Sequence, residues 1–177
     1  MKQKAAFIDR DGTLIEEVNF LSRAEDLRFF SFTDEAVRLL KENGFLVVVV
    51  TNQSGIGRGI FTEAAMHGIH ETIQGELTRK IDAFYFCPHL PDENCACRKP
   101  KTGMIRRAAA DFEIDLENSW FVGDKAIDVE AGQNAKLKTA LVLTGYGKKA
   151  RAQLIIQANL TAENLLEAAE KIVNSEK

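Results

Sequence analysis

Four short apolar runs in this chain each end on, or lead directly into, a residue with reactive chemistry. Ala5–Ile8 leads into Asp9, Phe45–Val50 into Thr51, and Ser119–Gly123 into Asp124, while Ala83–Cys87 ends on its own cysteine. Apolar runs of this length without an alternating pattern suit strands buried on both faces. A fifth run spans Thr139–Leu143. Between them lie segments with helical spacing. Thr33 can cap a helix whose Ala36, Val37, Leu39 and Leu40 share a face, with Gly44 as its stop. Further helices are predicted from Glu63 to about Thr78, Gly103 to about Asp111 and Ala126 to Asn134, and a last one is capped by Thr161, with Leu165, Leu166, Ala169 and Ile172 on one side. Ser54–Gly59 is expected to be a glycine-rich loop, and Pro88–Thr102 an irregular stretch that holds all three prolines. Strands alternating with helices predict an α/β fold: a parallel sheet covered on both faces. In such sheets ligands bind beyond the carboxyl ends of the strands, where Asp9, Thr51, Cys87 and Asp124 fall.

The 177 residues are expected to form one domain, 1–177. Net charge is −3 and no basic tract is present, so no nucleic-acid partner is expected. The longest apolar run, Phe45–Val50, is far too short to span a bilayer, and the Ala5–Ile8 run is too brief for a signal-peptide core. A cytoplasmic location and a monomer are expected.

Asp9-Arg10-Asp11-Gly12-Thr13 places two carboxylates two residues apart at a strand end. They can converge on a magnesium ion, which favours hard oxygen ligands and substrate phosphate oxygens. A carboxylate can also attack phosphorus and form an aspartyl phosphate. An isolated Asp-x-Asp is more often a solvated turn; the preceding strand and the following glycine favour a site. Thr51-Asn52-Gln53 can hold phosphate oxygens, or be a turn with local side-chain bonds. Arg98-Lys99-Pro100-Lys101 is the most basic patch: Lys99 can neutralise a transferring phosphoryl group and Arg98 can grip a second polar group. Gly123-Asp124-Lys125 offers a metal ligand and a substrate contact, although Asp124 could instead cap the helix that follows, and Asp128 could orient a neighbour.

The three cysteines, Cys87, Cys95 and Cys97, make a poor disulfide framework. With His89 they form C-x-H-x5-C-x-C, a donor set suited to four-coordinate structural zinc in a loop of about 87–102. His67 and His70 lie on a predicted helix and are expected at the surface.

Taken in order, Asp9-x-Asp11-Gly12-Thr13, Thr51-Asn52-Gln53, Arg98-Lys99-Pro100 and Gly123-Asp124 resemble the four motifs of the haloacid-dehalogenase-type phosphatases. The zinc loop is similar to that of the branch containing heptose-bisphosphate and histidinol-phosphate phosphatases. The resemblance runs from about Ala5 to Leu143 and implies a Rossmann-like sheet without a large cap domain. It implies Asp9 as nucleophile, Asp11 as general acid/base, and Thr51 and Lys99 as holders of the phosphoryl group. Magnesium would be bound by Asp9, the Asp11 backbone carbonyl and Asp124, and zinc by Cys87, His89, Cys95 and Cys97. Asn52, Arg98 and Lys125 would contact substrate. The segment Thr51–Gly59, Thr102-Gly103-Met104 and Asp124-Lys125 resemble the heptose branch, whereas the five-residue zinc-loop spacing and Cys87–Pro91 resemble the histidinol branch. Zinc-loop length varies within families, so the phosphate-end residues weigh more and imply a heptose bisphosphate, with histidinol phosphate as the alternative. Two other classes compete: a non-catalytic phospho-receiver, and a zinc-stabilised interaction module with a degenerate site.

Overall fold

The computed structural model describes residues 2–153 and 157–175. Its centre is a sheet of six parallel strands in the order β3-β2-β1-β4-β5-β6. The strands are β1 (Lys4–Ile8), β2 (Phe45–Asn52), β3 (Ala83–Cys87), β4 (Trp120–Gly123), β5 (Lys138–Val142) and β6 (Leu160–Ala162). The helices are α1 (Thr33–Glu42), α2 (Ser54–Gly57), α3 (Glu63–Glu76), α4 (Gly103–Asp111), α5 (Ala126–Asn134), α6 (Gly147–Gln153) and α7 (Leu165–Asn174). This is a Rossmann-like α/β architecture, and no second layer of elements forms a large cap among the described residues.

The continuous apolar runs have a simple cause: both faces of the sheet are covered. Ala6 and Ile8 of β1 join Val47, Val49, Trp120 and Val122 in a core closed by α1, α3 and α7. Their neighbours Ala5 and Phe7 face the other way, with Val48, Val50 and Phe121, into a core closed by α4 and α5. Side chains of a strand alternate between faces, so a strand between two cores must be apolar throughout.

Several boundaries differ from expectation. Strand β2 runs past Val50 through Thr51 and Asn52, because these residues pair in parallel with Phe86 and Cys87. Ser54–Gly57 closes one helical turn instead of a loop. Thr33 does not cap α1; it is the first helical residue and its hydroxyl donates to the Leu14 carbonyl at 2.7 Å. Thr161 does not cap the last helix either. It lies in β6 opposite Leu141, and Asn164 caps α7 by accepting from the Glu167 amide at 3.0 Å. Periodicity cannot find a three-residue strand or the seven-residue α6, which are too short to show a repeat.

Chain order reverses between β1 and β4, which pair through Ala6–Ile8 and Trp120–Val122. At such a switch point the two following loops diverge to opposite sides and leave a crevice. Asp9 leaves β1 and Asp124 leaves β4 at this crevice.

Candidate active site

The carboxylates of Asp9, Asp124 and Asp128 are buried, and oxygens from all three lie within 4.8 Å of one another. Lys99 crosses between them. Its Nζ donates to Asp9 Oδ1 at 2.8 Å and to the Val50 carbonyl at 2.9 Å, and stands 2.7 Å from Asp128 Oδ1. Lys99 is itself positioned by Asn52, whose amide accepts from the Lys99 backbone N–H at 3.0 Å and donates to its carbonyl at 3.2 Å. Asp128 also accepts from the Lys125 amide at 3.0 Å, so it, not Asp124, caps the first turn of α5.

Burial tends to raise the Asp9 carboxyl, but the charges of Lys99 and Lys125 outweigh it and hold the group below its ordinary value. Burial likewise opposes the charge on Lys99, and Asp128 and Asp9 overcome that and raise it. Asp124 is different: burial, reinforced by the Asp9 charge, pushes it up to about 7. Three buried carboxylates against two ammonium groups make a site short of positive charge.

Lys125 stands beside two of these carboxylates. Its Nζ lies 3.7 Å from Asp9 Oδ2, 3.7 Å from Asp124 Oδ1 and 3.3 Å from the Asp11 carbonyl. These three oxygens therefore converge on one cationic point. Asp124 Oδ1 is buried with no hydrogen-bond partner, while its other oxygen accepts from the Tyr146 amide at 2.8 Å. An orphaned buried carboxylate oxygen beside a second carboxylate and a carbonyl fits magnesium, which takes hard oxygen ligands. Gly12 makes the approach possible. Its φ is +88°, and a Cβ there would run into the Asp124 carboxylate.

The pocket above this cluster is lined by Arg10, Asp11, Glu17, Asn52, Gln53 and Lys125, among others. Asp11 borders it, with its side chain 14% exposed, and Thr51 Oγ1 lies 3.5 Å from its carboxylate. Sequence reasoning placed Gln53 in the Thr51 motif without giving its side chain a role, and it missed Glu17 and the part played by Arg10. Gln53 Nε2 donates at 2.8 Å to both Asp11 and Thr51, and Glu17 pairs with Lys125 at 3.0 Å. Arg10, the residue between the two motif carboxylates, is almost fully buried and clamps Asp11. His70 was expected at the surface but is 5% exposed, stacked on Phe84 at 4.3 Å. The glycine-weakened helical pattern of α3 hid its buried face, which carries Met66, Ile69, His70 and Ile73. His67 is exposed.

Cys87, His89, Cys95 and Cys97 also converge. Cys87 Sγ is 3.1 Å from Cys97 Sγ and 3.5 Å from Cys95 Sγ, and His89 Nδ1 is 3.2 Å from Cys97 Sγ. Sulfurs this far apart are not disulfide-bonded. Burial and the hydrogen bond to Cys97 raise the Cys87 thiol, whereas at Cys95 burial is outweighed by hydrogen bonds from the Arg98 backbone and from Cys97 and Cys87, which bring its thiol down to about 7. Three sulfurs and one imidazole nitrogen gathered around one point fit zinc. Arg98 leaves this loop with its guanidinium on the His89 carbonyl at 3.2 Å.

Residues 96–168 match the HAD-hydrolase-like family model. The chain is 43% identical over 145 residues to a D-glycero-beta-D-manno-heptose-1,7-bisphosphate 7-phosphatase of Helicobacter pylori, covering 80% of this chain and 83% of that one. The chain belongs to the haloacid-dehalogenase-type phosphatases. A further relative of this phosphatase, the D-glycero-alpha-D-manno-heptose-1,7-bisphosphate 7-phosphatase of Campylobacter jejuni, is 40% identical over 84% of this chain and 87% of its own. Among solved structures, D,D-heptose 1,7-bisphosphate phosphatase from B. bronchiseptica, complexed with magnesium and phosphate, superposes with a TM-score of 0.91. It is 33% identical, and the match covers 97% of this phosphatase and 99% of that chain. This phosphatase is accordingly a phosphoric monoester hydrolase, and Asp9, Asp124 and Asp128 form a group that could hold a metal ion.

Proposed function

We propose that this phosphatase removes the 7-phosphate of D-glycero-D-manno-heptose 1,7-bisphosphate, in the cytoplasm, as a monomer with residues 1–177 working as one domain. The reading is carried by one observation: Asp9 Oδ2, the Asp11 carbonyl and Asp124 Oδ1 face a single cationic point beside a pocket lined by Asp11 and Gln53. The names of the similar enzymes supply the substrate.

In the proposed reaction Asp9 is the nucleophile. One of its carboxylate oxygens attacks phosphorus as the bond from phosphorus to the sugar oxygen breaks. Asp11 gives its proton to the departing alkoxide. It then takes a proton from water, whose oxygen attacks the aspartyl phosphate and releases inorganic phosphate and free Asp9. Lys99 and Thr51 stabilise charge on the equatorial oxygens in both displacements. Asp9, the Asp11 carbonyl and Asp124 would hold magnesium, which supplies further charge neutralisation when bound. Asn52 acts partly through the Lys99 backbone, and Arg98 and Lys125 contact the rest of the substrate. Cys87, His89, Cys95 and Cys97 would hold a structural zinc, which would fix the segment leading into Arg98 and Lys99.

A magnesium-supplemented comparison of both anomers of the heptose bisphosphate, histidinol phosphate and common sugar phosphates tests this reading. A heptose bisphosphate should give the highest kcat/KM; a higher value for histidinol phosphate would replace it. Asp9→Asn should abolish turnover with either anomer. Near-normal rates would remove Asp9 as the nucleophile. A phospho-receiver predicts instead a long-lived aspartyl phosphate without multiple turnover.

A further inference from the structure

Arg10 and His70 form a buried pair behind the pocket that the reaction above leaves unused. The Arg10 guanidinium sends Nε to both oxygens of Asp11, at 3.2 and 3.1 Å, and Nη2 to Oδ1 at 3.1 Å. Gln53 adds a fourth bond, to Oδ2. On its far side, Arg10 Nη1 is 3.2 Å from His70 Nε2. A guanidinium has donors only and keeps its charge in proteins, so Nε2 must be the acceptor in this contact. The ring is then neutral, with its proton on Nδ1. Its surroundings agree: His70 is stacked on Phe84 with the ring planes 19° apart, and burial, aided by the Arg10 and His67 charges, lowers its pKa to about 3.

We infer that His70 is a positioning residue for proton transfer: a fixed neutral acceptor that orients the buried Arg10 and, through it, the Asp11 carboxylate. The inference rests on Asp11 being the general acid/base. A buried charged donor left without a partner is costly, so the guanidinium would turn to find another if the acceptor were removed. Rotating it would swing the carboxylate it holds at two atoms. Asp9, Thr51 and Lys99 would still hold the phosphoryl group, so the damage should fall on leaving-group protonation and spare binding.

The test uses the magnesium-loaded enzyme with two substrates, p-nitrophenyl phosphate, whose leaving group needs little protonation, and a sugar phosphate, whose alkoxide needs it. His70→Phe keeps the stack on Phe84 and removes the acceptor. It should lower kcat on the sugar phosphate about tenfold more than on p-nitrophenyl phosphate, part of the roughly 10²–10⁴ that acid–base help contributes. KM should stay unchanged on both. His70→Gln, which can still accept, should recover most of the loss. Ring nitrogen-15 spectra of the wild-type protein should show Nδ1 protonated and Nε2 bare at neutral pH, a readout independent of how well any variant folds. A protonated Nε2, equal losses on both substrates, or no loss in a folded His70→Phe would overturn the inference. Wild-type enzyme that turns over neither substrate with magnesium would instead remove the functional reading on which it rests.

Discussion

At the scale of single residues, the site is governed by the cost of burying charge. Lys99, at 3% exposure, is matched by Asp9 and Asp128, at 3% and 0%. Removing one partner of such a group leaves the others desolvated and unpaired, which is far more damaging than losing a surface ion pair. Lys99→Met should therefore do two things at once. It should abolish turnover, because the phosphoryl charge loses its counterion. It should also lower unfolding free energy by about 3–5 kcal/mol in urea melts of the magnesium-free protein. Stability equal to the wild type would mean that the buried network does not depend on the ammonium. Gly12 belongs to the same account, since only a residue without Cβ lets the β1 loop close against Asp124.

At the scale of elements, the segment from Pro88 to Thr102 differs from the rest of the chain. Its residues carry no helix or strand, and of the four candidate zinc ligands only Cys87, which precedes it, lies in the sheet. A few turn-type backbone bonds and its side chains must order it, and the Cys87–His89–Cys95–Cys97 cluster is where the side chains meet. Zinc removal by a chelator is expected to speed hydrogen exchange across 88–102 while the amides of β1, β2 and β4 stay protected. Activity should fall because Arg98 and Lys99 leave this loop. Unchanged exchange in the loop after metal removal would show that the cluster does not hold it. The same elements explain which boundaries sequence reading found. α4, α5 and β3 begin and end where their patterns predict, and at α5 the Asp128 carboxylate, capping the Lys125 amide, marks the start. The sheet's far edge was missed because β6 is held by pairing with β5 rather than by any pattern of its own.

At the scale of the whole molecule, the packing of α3 against the sheet carries a consequence for acid stability. His70 has its folded pKa near 3 against an ordinary 6.5, because burial, Arg10 and His67 all oppose its charging. Between those values the unfolded chain binds the proton and the folded one does not. Stability contributed by this residue is then complete above about 6.5 and is lost as pH falls toward 3. Compared with the wild type, His70→Gln should show a difference in unfolding free energy that is flat above that window. The difference should grow in the variant's favour below it, by at most about 1.4 kcal/mol per pH unit. Urea melts from neutral pH downward measure it, and parallel curves for the two proteins would show that His70 titrates normally.

The amino-acid sequence by itself determined the layered α/β class, the residue types at the strand ends and the make-up of the Cys87–His89–Cys95–Cys97 cluster. Each of these is written in residues close together, where an apolar run, a turn glycine or a cysteine spacing leaves a local pattern. Tertiary structure alone decided the strand order that brings β1 beside β4, and with it the meeting of Asp9 and Asp124 across the crevice. It alone placed Lys99 between Asp9 and Asp128, turned Lys125 toward three oxygens, and put His70 behind Arg10. Partners separated by tens of residues leave no periodicity in a single chain. Their pairing is set by which charges must be neutralised once the sheet has closed water out.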